Sequence, residues 1–253
     1  MSRRDDIRRY YDQSNTLQRI ALLFYWCNMI VGLFSPFLPQ IDIITRICSA
    51  IQGISAFLFL FLSLSDDCFA WYGAEAERRK NDIENAYGIQ LGDLKTEGYY
   101  NNSLPPSMGK YAVNCMESAF FSKTIASKML PKATIKALLS VTVMFFAIFW
   151  INDPSFLLVV VQAVLSFYFI EDLVRLIRYA NLVKVVYETL FKSFITVGVS
   201  TKQQEVSAFS CALEYEAIKA HFKVRLDSKL FDKLNDTLSS KWAEICQGIK
   251  YSK

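Results

Sequence analysis

The side chains best suited to chemistry in this 253-residue chain sit outside its apolar runs. Arg78, Arg79 and Lys80 form a basic run, and Tyr99, Tyr100, Asn101 and Asn102 form an aromatic and amide tract. Guanidinium and ammonium groups meet phosphate oxygens through charge-assisted hydrogen bonds, tyrosine rings stack on a base, and asparagine amides read its edge. Read from the residues alone, the two segments are a turn beside a solvated helix face. Catalysis is harder to place. His221 is the only histidine, beside Phe222 and Lys223, where a packing or surface role is expected. A phosphate-cradling glycine loop, a paired-histidine metal motif and a G-x-S-x-G elbow are all missing. The carboxylate pairs Asp66 with Asp67 and Glu171 with Asp172 are neighbours in sequence, so on a helix they point to different faces and are expected to be solvated ends rather than metal clamps. No enzyme activity, metal or cofactor is expected.

The elements that carry these residues are dominated by two apolar hairpins. The first runs from Ile20 to Leu38, turns through Pro39, Gln40, Ile41 and Asp42, and returns from Ile47 to Ser65. The second runs from Ala137 to Ile151, turns at Asn152, Asp153 and Pro154, and returns from Ser155 to Ile170. About 20 apolar residues at 1.5 Å rise cross a hydrocarbon core of roughly 30 Å. The pattern predicts an integral membrane protein with four crossings. The second pair is shorter, near the lower limit of about 17 residues; its alternative is a buried or re-entrant hairpin packed on the first.

Polar side chains inside such spans are costly and therefore informative. Asn28 interrupts the first span, Ser49, Gln52 and Ser55 follow one side of the second, and Gln162 and Ser166 lie one turn apart in the fourth. They form either interhelical hydrogen bonds, with Gly53 and Ala56 allowing close approach, or a membrane polar track through an oligomer of bundles.

Orientation follows from the excess of Lys and Arg on cytoplasmic loops. Arg3, Arg4, Arg8, Arg9 and Arg19 precede the first span; Arg78, Arg79, Lys80, Lys95, Lys110, Lys123, Lys128, Lys132 and Lys136 lie between the hairpins; Arg175, Arg178, Lys184 and Lys192 follow the last. Both termini and the central segment are thus expected in the cytoplasm, with Arg46 an interfacial anchor at the outer end of the second span. A cleavable signal peptide is not expected, because the apolar run starts only at Ile20 and leads into a second one. The net charge of +4 is explained by anionic headgroups, and no nucleic-acid partner is expected. Cys27, Cys48, Cys68, Cys115, Cys211 and Cys246 are scattered without a C-x-x-C pair, which predicts neither a disulfide framework nor a zinc site.

Residues between and after the hairpins read as helices. From Asp66 to Tyr87, Phe69, Tyr72, Ala76, Arg79, Ile83 and Ala86 recur at helical spacing, Glu75 can pair with Arg79 and Arg78 with Asp82, and Gly88 ends the run. The tract 98–106 is a turn-rich loop, and 111–130 is an amphipathic helix. A helix continues from the fourth span to Gly198, and one or two more fill 203–249. The fold class is therefore all-α, an integral membrane protein of two helical hairpins with a helical cytoplasmic insert and tail. Its segments are 1–65, an amphipathic N-terminus and the first hairpin; 66–133, the insert; 134–176, the second hairpin; and 177–253, the C-terminal helices.

The layout, with segments reading Ala76-Glu77-Arg78-Arg79-Lys80-Asn81-Asp82-Ile83, Gly98-Tyr99-Tyr100-Asn101-Asn102 and Ala112-Val113-Asn114-Cys115-Met116-Glu117-Ser118-Ala119-Phe120-Phe121, resembles the SMODS-associating four-transmembrane effector family of bacterial anti-phage systems. The resemblance implies an inner-membrane effector, encoded near a nucleotidyltransferase that makes a cyclic nucleotide messenger, which damages the membrane when infection is sensed. Homo-oligomers in the lipid bilayer and a cyclic nucleotide ligand follow as expectations, and the resemblance implies Arg78, Arg79, Lys80, Tyr99, Tyr100, Asn101 and Asn102 as its candidate ligand-binding residues, with the plain turn beside a solvated helix as the alternative. A small transporter or channel, or a scaffold docking a cytoplasmic partner, are the alternatives.

Overall fold

Seven helices carry the described chain: α1 (Arg8–Phe34), α2 (Asp42–Ser65), α3 (Trp71–Tyr87), α4 (Met108–Trp150), α5 (Phe156–Phe191), α6 (Lys202–Phe222) and α7 (Ser228–Gln247). The computed structural model describes residues 4–39, 41–150 and 156–252, with the side chains of 4, 33, 36, 97, 143, 146–148, 150 and 156–166 outside that description. The tips at Gln40 and at Asn152, Asp153 and Pro154 therefore lie outside the described residues, as do the side chains of Gln162 and Ser166. The fold is all-α; its strands β1 (Arg4–Asp5) and β2 (Thr96–Glu97) are a two-residue antiparallel pairing.

Local chemistry explains the helix ends. Gly88, at φ +68°, closes α3 in the left-handed conformation that costs glycine least. Thr201 and Gln204 cap α6 reciprocally, and Asp227 accepts from the backbone of Lys229 and Leu230 at the start of α7. Pro131 does not break α4, which runs on as one 43-residue helix where the sequence suggested an insert helix followed by a separate span. Five-residue-spaced turns at Asp66–Ala70 and Lys192–Val197 follow α2 and α5. The first carries the chain into α3 without a break.

The chain divides into two compact units. The first comprises 1–8, 74–130 and 175–253; the second comprises 9–73 and 131–174. The second unit centres on Ala21, Tyr25, Met29, Phe59, Ala137 and Phe169. Tyr25 packs edge-on against Phe59 and Phe169 and shares a 2.9 Å hydrogen bond with Ser140. Asp66, expected as a solvated helix end, is fully buried and accepts from Ser14 Oγ at 2.6 Å. The wide turn beginning at Asp66 accompanies this inward placement. Glu171 and Asp172 are exposed. Among the described residues one continuous helix, Asp42–Tyr87, is long and apolar enough to cross a membrane.

In the first unit, Val183, Leu190, Phe194, Ala212 and Trp242 form an apolar core. Gly109 at the start of α4 sits under the ring of Tyr251, where a Cβ would lie 2.3 Å from the ring edge. Burial opposes ionisation of Glu205, yet bonds from Tyr251 Oη (2.9 Å), Lys202 Nζ (3.1 Å) and Gly109 N (3.2 Å) outweigh it and hold its carboxyl below the usual range. Gly109→Ala is expected to displace the ring and lower stability by about 1–3 kcal/mol. Tyr251→Ala should relieve that clash, so chemical denaturation of the double variant should show less destabilisation than the two single variants added together.

Candidate functional site

The candidate site is a buried polar cluster in the first unit. On α3 the positions 74, 78, 81 and 82 face inward, which buries Arg78, Asn81 and Asp82 beside Ala74. α4 meets them with Tyr111, Asn114 and Cys115, all buried, and α6 adds Tyr215, Glu216 and Lys219.

Asn114 is fully buried and joins three segments. Its Nδ2 donates to Asp82 Oδ1 at 2.8 Å and to Asn85 Oδ1 at 3.0 Å, while its Oδ1 accepts from Asn102 Nδ2 at 2.7 Å. Cys115 Sγ donates to Asp82 Oδ2 at 3.7 Å. Asn101 donates through its backbone N and its Nδ2 to the two oxygens of Glu117, both at 3.0 Å. Lys219 Nζ lies 3.1 Å from Glu75 and 3.0 Å from Glu216.

These contacts place the sequence-selected residues as follows. Arg78 donates to both oxygens of Asp5, at 2.8 and 3.1 Å, and its guanidinium lies 4.0 Å from the centroid of Tyr99. The expected pairs Arg78 with Asp82 and Glu75 with Arg79 give way to Asp5 and Lys219. Partners from other segments fix these side chains where a helical neighbour, free to rotate in water, would add only a few tenths of a kcal/mol. Arg79 is half-buried, and Lys80 is exposed and pairs with Glu77 at 2.6 Å. Successive helix positions turn about 100°, so the three cations do not share a face. Tyr99 and Tyr100 meet edge to face at 4.8 Å. Asn101 and Asn102 are engaged by Glu117 and Asn114.

Polar residues of the second unit are arranged differently. Asn28, Gln52 and Ser55 are buried, and Asn28 Nδ2 donates to the backbone oxygen of Gln52 at 2.8 Å. The Gln52 amide itself has no partner among the described residues. Ser49 is exposed. His221 is exposed, with its ring edge-on to Phe222 at 4.8 Å.

Burial is the main cause of the electrostatics at the cluster. It pushes Asp82 up to about 7, with Glu216 adding to the shift while the Asn114 bond and Lys219 oppose it. It raises the Cys115 thiol well above its usual range, with Asp82 and Glu216 contributing, so the group is a neutral thiol rather than a nucleophilic thiolate. An open groove elsewhere in the unit, lined by Val185, Val206, Cys211 and Glu214 among others, lacks any such convergence of charge. Sequence reasoning gave Asp82 only as a partner for Arg78 and Cys115 only as a scattered cysteine, and it did not single out Asn114 or Glu216 as site residues, because nothing in their spacing brings the four together. The spacing read in the sequence, Phe69, Tyr72, Ala76, Arg79, Ile83 and Ala86, lies mostly off the buried face: Phe69 and Tyr72 are exposed, and it is 74, 78, 81 and 82 that turn inward.

Comparison with protein-family models, with curated proteins and with solved structures finds no match for this chain.

The raised Asp82 carboxyl has a definite consequence for stability. Between about pH 4 and pH 7 the folded chain keeps the proton that the unfolded chain has released, so stability falls as pH rises through that window and levels off above it. Thermal unfolding of Asp82→Asn should show a shallower decline from about pH 4 to about pH 7 than the parent chain. Equal slopes would mean that Asp82 is ionised in the fold.

Proposed function

We propose that this chain is a membrane-embedded effector of bacterial antiviral defence, which breaks inner-membrane integrity through an oligomeric pore when a nucleotide second messenger arrives. The observation that carries the membrane part is the inverted burial of α2. Ile43, Ile47, Ile54, Phe57, Leu60, Phe61 and Leu64 are exposed, while Gln52 and Ser55 are buried. A soluble helix turns its apolar stripe inward and its amides outward; the reverse matches hydrocarbon as the solvent. Leu23, Ile30 and Phe34 of α1 and Ile135, Leu138 and Phe149 of α4 extend the apolar exterior.

In this reading two hairpins, 20–65 and 137–170, lie in the inner membrane with both termini and the 98–106 loop in the cytoplasm. The effector part rests on the resemblance of residues 76–83, 98–102 and 112–121 to the four-transmembrane effectors. Asn28, Gln52 and Ser55 are enclosed within a single chain, so a conducting path needs rearrangement or further copies. The polar cluster suits a restraint: its bonds are satisfied in one arrangement, and a ligand shifts the population by binding another arrangement better. Arg78 belongs to the fold through Asp5, which leaves the half-buried Arg79 and the exposed Lys80 as the more accessible cations for an anionic messenger.

Two measurements test this. A single cysteine introduced as Ser103→Cys, with the native cysteines replaced, should resist an impermeant thiol reagent in intact cells and react after lysis; labelling from outside overturns the orientation. Cells producing the chain should depolarise when a cyclic nucleotide synthase is co-produced, and Gln52→Leu should reduce the depolarisation while leaving membrane insertion intact. Unchanged membrane potential across a panel of cyclic di- and trinucleotides overturns the effector reading in favour of a transporter or scaffold.

A further inference from the structure

The side chains of Asp82, Cys115 and Glu216 come from α3, α4 and α6, three different helices of the first unit. One ligand atom of each, a carboxylate oxygen, the sulfur and a second carboxylate oxygen, lies within 4.8 Å of the other two. Cys115 is fully buried, Asp82 is buried, and the Glu216 side chain is 12% exposed. Two acids and a thiol converge in the interior, where charge is expensive unless matched.

Nearby cations do not match it. Lys219 carries one charge and touches two carboxylates, Glu216 and Glu75, while Arg78 is spread over the two oxygens of Asp5. The hydrogen-bond donors to Asp82, the amide of Asn114 and the thiol of Cys115, are neutral. The Asp82 carboxylate can be neutralised in two ways, by a proton or by a metal cation held with Cys115 and Glu216.

We propose that Asp82, Cys115 and Glu216 form a binding site for a divalent transition metal of the zinc class. A thiolate combined with two carboxylates selects such an ion over magnesium and calcium, which take oxygen donors. Bond lengths of about 2.3 Å to sulfur and 2.0–2.2 Å to oxygen place neighbouring donors about 3.5 Å apart. Side-chain adjustments of roughly an ångström therefore close the present arrangement onto an ion. Binding displaces the Cys115 thiol proton and the proton on Asp82 to solvent, with no change of oxidation state. Lys219 pairs with Glu216, and Asn114 donates to the Asp82 carboxylate, as outer partners do in metal sites. Three protein donors leave a position open to water or to an exogenous donor. Through Asn114 and Asn102 the ion would also tie the 98–106 loop to the three helices. The site is independent of the membrane and effector reading.

The test uses the full chain in detergent, stripped with a chelator and re-equilibrated with zinc or cobalt(II). The expected result is one metal per chain and, with cobalt, a thiolate-to-metal charge-transfer absorption. Cys115→Ser should abolish that absorption. Asp82→Asn and Glu216→Gln should each weaken binding on the order of 100-fold or more, since loss even of an outer partner costs about 10–100-fold. Should Cys115→Ser fail to fold by circular dichroism, Glu216→Gln, whose amide oxygen still accepts from Lys219, carries the comparison. A chain that retains no stoichiometric metal overturns the proposal and leaves the proton as the neutralising charge. An absorption that survives both Cys115→Ser and Glu216→Gln overturns it too, because the metal then sits on another cysteine.

Discussion

Much of the first unit depends on the side chain of Asn114. An amide with no solvent contact must satisfy both its donors and its acceptor within the protein, because an unmet buried group costs about 1–3 kcal/mol. Asn114 does so by taking Asp82 and Asn85 from α3 and Asn102 from the loop. Its position thereby sets the separation of α3 and α4 and the path of the chain between them. The Glu117 contacts to Asn101, one turn further along α4, hold the same loop at a second point. The region that composition marks as a turn is thus secured by side-chain bonds rather than by strand pairing, apart from the two residues of β2.

The two units differ in what they bury. In the first, apolar side chains close around Trp242, Phe194 and Leu190, and the polar cluster is enclosed where each member has partners. In the second, large apolar side chains cover the outside of α2 and aromatic rings fill the inside around Tyr25. The continuous helix 42–87 contains both patterns, with the change at the wide turn 66–70. Asp66 sits at that change, buried against Ser14, and its burial shows that a carboxylate at the end of an apolar run can serve as an internal tie.

Much of the helical architecture was legible from spacing alone. The helix through 66–87, its end at Gly88, the helix leading to Gly198 and the pair in 203–249 follow from three- and four-residue periodicity and from glycine at positive φ. The partners were not legible. Arg78 looked like a phosphate ligand or a partner for Asp82 because local sequence offers only local neighbours, whereas its actual partner, Asp5, lies 73 positions away. The same holds for Glu75 with Lys219 and for Asp82 with Asn114. The length of α4 was missed for another reason: Pro131 and the lysines around it suggested a boundary, yet one missing N–H and one ring are tolerated within a 43-residue helix.

A buried network of this kind is a poor source of net stability, since well-packed apolar side chains of similar volume often do as well or better. Its value lies in discrimination between arrangements. Long helices with broad apolar faces pack in several registers of similar energy, because dispersion and burial are nearly indifferent to a shift of one turn. The bonds from Asn114 to Asp82 and Asn102, and from Lys219 to Glu75 and Glu216, are met in one register only. Sliding α3 by a turn against α4 would strip Asp82 of its amide partner and strand both groups in the interior. The unit therefore has one sharply preferred arrangement whose maintenance depends on the charge at Asp82. A change in the protonation of Asp82 acts on α3, on α4 and, through Asn114 and Asn102, on the 98–106 loop together.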